Sequence, residues 1–284
     1  MAIPITSSQF INAIQSILLT FIIIFCSSSV YAQTQSYTFG IVPQFEVRKL
    51  HGIWQPILNY LEKETAYSFK IKGSPTISAF EQELLQGEFD FAYMNPFHII
   101  LANEQQGYMP LIRDVGKTLH GVLVVNTNSG INEISQLQGK TIAFPAPNAL
   151  GASLLMRQEL LDMFNLKIKP EYVKTHDSVY LNVLMGQASA GGGVEKTLRR
   201  QKPEYQAALK IIHKTREVAP HTLAVHPGVP ETVKEAVKAA LIKLGQSPEG
   251  KALLAKIPIK KLGSATMADY LPLKELGLER FYVK

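Results

Sequence analysis

Four short stretches of this chain combine hydrogen-bonding and aromatic side chains in a way that suits recognition of a small polar molecule. They are Pro43-Gln44-Phe45, Tyr93-Met94-Asn95-Pro96, Pro147-Asn148-Ala149-Leu150 and Thr175-His176-Asp177-Ser178. The third lies within GKTIAFPAPNALGAS, Gly139 to Ser153, where a β-branched and aromatic run meets a proline-broken turn and then a helix. A helix N-terminus offers unpaired N–H groups and the positive end of the macrodipole, so it can hold an anion without a basic side chain. Asn148 is expected as its N-cap. His176 and Asp177 could act as a base with its orienting carboxylate. Each stretch also has a plain structural account: Tyr93 as a packed aromatic, Asp177 as a helix cap, and His176 as the group that holds that cap.

The remaining chemistry is sparse. There is no phosphate loop, dinucleotide fingerprint or nucleophile elbow, and the seven histidines show no metal-ligand spacing. Paired carboxylates are not evident; Asp90, in GEFDFAYMNP, reads as a residue that bonds a turn. A binding protein without cofactor or metal fits this inventory better than an enzyme. The net charge is +6, but its basic residues are scattered, with Arg199-Arg200 and Lys260-Lys261 only doublets. No nucleic-acid partner is indicated.

Residues 1–32 stand apart. The apolar run Ile11 to Phe25 is too short and too interrupted by Ser, Gln and Asn for a membrane span. With Ser27-Ser28-Ser29 and Val30-Tyr31-Ala32 after it, the segment reads as a signal peptide cut after Ala32, giving a periplasmic protein. It carries no Lys or Arg, so an uncleaved membrane anchor is the alternative. The single cysteine, Cys26, lies in this segment, and Phe25 before it disfavours lipidation. The mature chain then has no thiol, which excludes disulfides and thiolate chemistry.

The positioning elements follow from periodicity. Tyr37 to Val42 reads as a strand, and Glu46 to Glu64 as a helix with a stripe of Leu50, Ile53, Trp54, Ile57, Leu58 and Leu61. Phe69 to Ile71 and Phe89 to Met94 are strands around a helix that Gly87 closes, and Asn95-Pro96 starts another helix. A second unit begins at Val122 to Val125 and continues through Thr141 to Phe144. There a helix with Leu150, Leu154, Leu161 and Phe164 on its core face follows. Tyr172 to Lys174 is a strand, and Asp177 or Ser178 caps the next helix. The run Gly191-Gly192-Gly193 leads into a short helix to about Arg200. Leu209 to His213 and Thr222 to Val225 are strands, and the last third is helical, with Ser247-Pro248-Glu249 opening one helix.

This is an α/β chain of two lobes, each a mostly parallel sheet flanked by helices. The boundaries expected are 36–118 plus 220–284 for lobe 1 and 119–219 for lobe 2, with crossings near Gly116 to Gly121 and Lys214 to His221. Ligands of such sheets lie outside the carboxyl ends of the strands, where the four stretches converge.

The chain resembles the phosphate, phosphite and phosphonate periplasmic binding proteins of ABC transporters, from about Tyr37 to Tyr270. The likeness rests on GIVPQ at Gly40 to Gln44, GEFDFAYMNP at Gly87 to Pro96, LQGKTIAFPAPN at Leu137 to Asn148 and HDSVY at His176 to Tyr180. It implies the type II periplasmic-binding-protein fold, a ligand cleft between lobes and a phosphonate-like ligand. The implied ligand-binding set is Gln44, Phe45, Tyr93, Asn95, His120, Asn148, Ala149, Leu150, His176, Asp177 and Ser178. Its partner is a membrane ABC permease or, alternatively, the ectodomain of a sensor kinase, with the binding protein itself a monomer. An enzyme on the same fold is the third reading. Two departures stand out: Ala149-Leu150-Gly151 where the phosphonate binders carry a hydroxyl run, and Ser189 where amino-phosphonate binders carry a carboxylate. Both point to a more apolar pocket, with an apolar part of the ligand beside Leu150 and Tyr93.

Overall fold

The structure, a computed structural model, describes residues 35–257 and 259–283. The segment read as a signal peptide, 1–32, lies outside the described residues. Among them, no helix is long and apolar enough to cross a membrane.

Aromatic alternation builds the first layer. In β1 (Ser36–Ile41) the side chains of Tyr37, Phe39 and Ile41 are buried. The two rings lie 6.0 and 6.3 Å from Phe91 of β3 (Phe91–Met94). Helix α1 (Val47–Thr65) buries Leu50, Trp54, Ile57, Leu58 and Leu61 on this layer, the stripe that the i, i+3, i+4 spacing requires. Strand β2 (Ser68–Lys72) and helix α2 (Ile77–Leu85) follow. Helix α3 (Pro96–Gln106) starts where Asn95 Oδ1 accepts the N–H groups of Phe97 and His98, with Pro96 in the first turn. Asp90 accepts from Thr38 N–H and Oγ1 at 2.7 and 2.8 Å, so it ties β1 to the segment before β3.

Strand β4 (Met109–Asp114) is absent from the sequence reading. Pro110 hides it, because proline cannot donate to a ladder, and the register opposite β10 (Thr222–Val225) shifts between Leu223 and Ala224. With β11 (Leu262–Ser264) the first sheet runs β11-β4-β10-β3-β1-β2. The second comprises β5 (Gly121–Asn126), β6 (Thr141–Phe144), β7 (Lys169–Tyr172), β8 (Ala190–Val194) and β9 (Leu209–Lys214). Its order is β7-β6-β8-β5-β9. The chain passes between sheets twice, through 115–120 and 215–221. Pairs β1–β2, β1–β3, β6–β7 and β6–β8 are parallel, and the rest antiparallel. The sheets are therefore mixed and not mostly parallel. The reason is the crossings: β5 and β10, the strands that follow them, enter against the direction of their neighbours.

Helices α4 (Leu155–Asp162), α5 (His176–Leu184), α6 (Glu195–Leu198) and α7 (Pro203–Ala208) flank the second sheet. Leu150 and Leu154 are buried as their spacing requires, but Phe164 stays 39% exposed, beyond the end of α4. The cap of α5 is Thr175, whose hydroxyl accepts from Ser178 N–H, and neither Asp177 nor Ser178. Helix α8 (Glu231–Gln246) packs on α1, and α9 (Pro248–Ala255) begins at Ser247, whose Oγ accepts from Gly250 N–H. Both belong to the first sheet, as element order suggests.

The glycine run lies inside β8 and is not a connection. A Cβ at Gly191 would sit 2.6 Å from Val179 Cγ1, and one at Gly193 2.2 Å from Tyr180 Oη, both on α5. At Gly192 it would sit 2.1 Å from Ala152 O on the opposite face. Helix and turn press on this strand from both sides, so side chains alternate out of both faces only if they are absent. Gly192→Ala is expected to destabilise the fold by at least about 3 kcal/mol, since backbone must move. A urea midpoint equal to the parent's would contradict this packing.

Candidate functional site

The two crossings pair with each other. Leu119 N–H donates to Val218 O at 2.8 Å and Val218 N–H to Leu119 O at 2.9 Å. Gly121 N–H donates to Thr215 Oγ1, and Thr215 N–H returns to Gly121 O. Gly121 lies directly on the turn after Asn148: a Cβ there would be 1.9 Å from Gly151 O. The turn Leu150–Leu154 is a π-helical turn whose cap residue, Ala149, makes no side-chain bond. Asn148 is thus not an N-cap. Its Nδ2 donates to Glu81 Oε2 at 2.8 Å and Val283 O at 2.7 Å, and its Oδ1 accepts from Val283 N–H at 2.9 Å. The proline-broken turn before it aims the amide at the C-terminal segment and away from the helix start.

Two cavities adjoin along Gln44, Leu119, Val194 and His221. The narrow one, about 20 Å³, meets Gln44, Asn95, Ala149, Leu150 and His176. The large one, about 580 Å³, brings Gln44, Tyr93 and His120 together with Lys117, Lys196 and Arg200. Of the remaining sequence candidates, Phe45 is buried beneath cations: Lys49 Nζ, Arg200 Cζ and Lys196 Nζ lie 4.3, 5.2 and 5.8 Å from its ring centre. Asp177 is exposed and accepts from Gln201 Nε2, and Ser178 Oγ bonds Thr175 Oγ1 at 2.8 Å. Neither lines these cavities, and Asp177 does not orient His176.

His221 joins the two spaces. Its ring stacks on Tyr93 at 5.5 Å and 25°, and its Nε2 lies 2.8 Å from Gln44 Nε2. Burial, together with Lys196 nearby, holds its pKa well below the ordinary value. The neutral ring can accept from the Gln44 amide. His176 is pushed down to about 4 by burial, against a smaller opposing pull from Asp177. Its Nδ1 is buried without a hydrogen-bond partner among the described residues.

Cations dominate the far wall. Asp114 is already taken up by the N–H groups of Gly116, Lys260 and Lys261, with Lys117 Nζ at 3.7 Å. Glu195 is engaged by Arg199 at 2.5 Å, His120 at 3.1 Å and Lys214 at 3.7 Å. Lys196 Nζ and Arg200 Nη2 instead donate to the carbonyls of Ile257 and Lys256, at 2.8 and 2.6 Å. Desolvation, reinforced by Arg200, Lys117 and Lys49, pushes Lys196 down to about 6. An apolar side is supplied by Leu119, Val194, Ile257 and Ile259. Sequence reasoning passed over His221, Lys196 and Arg200. The signal for the last two was the carboxyl end of β8, a strand that its glycine run concealed.

A family model described as "ABC transporter, phosphonate, periplasmic substrate-binding protein" matches residues 39–270. The phosphonates-binding periplasmic protein of Escherichia coli (strain K12) is 22% identical over 261 residues, 87% of this chain and 77% of that protein. The phosphate-import protein PhnD of Mycolicibacterium smegmatis is 21% identical over 221 residues, 70% of this chain and 69% of its own. Among solved structures, PhnD1 from Prochlorococcus marinus in complex with methylphosphonate superposes with a TM-score of 0.78 at 17% identity. That alignment covers 87% of this chain and 99% of the other.

The unfolded chain binds a proton at His176 below about pH 6.5 that the folded one refuses until about pH 4, so stability falls as pH drops through that window. His176→Gln should flatten this slope, read from urea midpoints at pH values inside and above it. Asn148→Ala, which strips a donor from buried Glu81 and unclips Val283, should cost about 1–3 kcal/mol by the same measurement.

Proposed function

Since the chain belongs to the family of periplasmic substrate-binding proteins of phosphonate ABC transporters, we propose that it captures an organophosphonate with an apolar substituent and delivers it to an ABC permease. The observation that carries this reading is the large cavity between the sheets, walled by cations on one side and Leu119, Val194, Ile257 and Ile259 on another. A phosphonate head suits the cations, and an alkyl or aryl group suits the apolar wall. The lobes are 36–118 plus 220–284 and 119–219, and they close on the ligand about the paired crossings. An export signal at 1–32 takes the chain to the periplasm.

Binding without catalysis is the reading favoured by the side chains. His176 is neutral and has no orienting carboxylate, because Asp177 bonds Gln201. Gln44, Tyr93, Asn95, His120, His176 and His221 contact the ligand in this proposal, and Leu150 closes the apolar end. Phe45 supports the cations from below, while Asn148 holds the turn that carries Ala149.

Isothermal titration of the mature protein tests the reading. Phenylphosphonate and methylphosphonate are expected to bind more tightly than bare phosphate, and Tyr93→Ala or His176→Ala should weaken that binding by about 1–3 kcal/mol. Micromolar affinity for phosphate itself, equal to that for the phosphonates, would remove the organic substituent from the proposal. Absence of binding by all of these oxyanions would remove the ligand class.

A further inference from the structure

We infer that Lys196, with Arg200 and Lys117 beside it, forms the subsite that receives the dianionic head of the ligand. This rests on the function proposed above and assigns the charged end of the ligand to one corner of the large cavity.

The first argument is one of charge. Among the described residues Lys196 has no carboxylate partner, and its ammonium meets only the carbonyl of Ile257. The nearby acids are engaged elsewhere, Asp114 by three backbone N–H groups and by Lys117, and Glu195 by Arg199, His120 and Lys214. The groups that do bear on it are cationic or neutral: Arg200, Lys117 and Lys49 repel its charge, and His221 and His176 feel that charge across the cavity. Three cations share the single Phe45 ring. A half-buried cluster of one sign lowers stability unless an anion completes it.

The second argument is one of space. The pocket at Ala149 to Ala152 has about 20 Å³, room for roughly one water. The tetrahedral head cannot enter it. The large cavity has room for the head, and Lys196, on α6 at the carboxyl end of β8, stands at its wall.

The third is a consequence for protons. The ligand-free amine is largely neutral above about pH 6, and a dianion against it restores the ammonium. Binding of the dianion therefore takes up a proton, and its affinity declines as pH rises above 6.

Three proteins decide the matter: the parent, Lys196→Met and Lys196→Arg. Phenylphosphonate is titrated at about pH 8.5, where it is a full dianion, in buffers of different ionisation heat. The parent should take up a proton on binding. Lys196→Met should bind about 10- to 100-fold more weakly, with no proton uptake. Its ligand-free melting temperature should equal or exceed the parent's, which a merely structural lysine would not give. Lys196→Arg should keep the affinity within about tenfold and lose the proton uptake. Parent-like binding and proton uptake in Lys196→Met would overturn this subsite and leave the proposed function standing. Failure of the parent to bind any phosphonate or phosphate would overturn both.

Discussion

The arrangement depends on the antiparallel contact between the two crossings. Leu119 and Val218 exchange backbone hydrogen bonds, and Gly121 and Thr215 extend the contact on the side of the second sheet. A chain that leaves one sheet and returns to it must satisfy the polar groups of both passages, and pairing them does so without further elements. The same contact fixes the site. His120 and His221 sit at the ends of the crossings, and Gly121 presses on the turn at Gly151. It also dictates that β5 and β10 join their sheets antiparallel, which makes both sheets mixed.

Electrostatics then decide which part of the cleft can recognise a charge. A helix start selects anions through its N–H groups, and here the turn opens only onto the narrow pocket of about 20 Å³. Lys196 of α6 and Arg200 after it line the large cavity and, among the described residues, have no acidic partner. Lys196 and Arg200 rest on carbonyls of the segment after α9, so they bridge the second sheet's elements to the first's. Carbonyl contacts compensate an ammonium less fully than a carboxylate does. The depressed pKa of Lys196 follows from its burial, reinforced by Arg200, Lys117 and Lys49.

Much of the fold was legible because its period was clear. The stripe of α1, the strand Thr222 to Val225 and the Ser247 cap follow from spacing and cap chemistry alone. What misled were residues whose local preference and tertiary role diverge. Pro110 hid a strand, and Gly191 to Gly193 hid another, because glycine carries no strand preference although close packing on both faces is what requires it in β8. Asn148 has the right type for a cap, yet three long-range bonds claim its side chain. Of the site, the loops after β1 and β3 and the start of α5 were visible as polar and aromatic stretches at strand ends. Lys196 and Arg200 were not, since nothing in an isolated basic doublet distinguishes a solvated pair from one aimed into a cavity. His221 was missed because its stacking on Tyr93 joins positions far apart in sequence.

The C-terminal segment bears on how such a cleft could open. It follows the last strand of the first sheet, and Tyr282 lies 5.9 Å from Phe97 of α3. Yet it bonds elements of the second sheet: the Val283 backbone clips Asn148, Phe281 O accepts from Arg157, and the Arg280 side chain pairs with Asp162. Separation of the lobes must either break these bonds or peel the segment from α3. The Asn148 clip is largely buried and backed by Glu81, so its loss is costly, whereas the Arg280 pair is exposed and contributes little. The arrangement of the lobes seen here is thus held by protein contacts on one side of the crossings and by cation–carbonyl contacts on the other. A ligand shifts the balance between open and closed forms only by what it adds in one form and not the other.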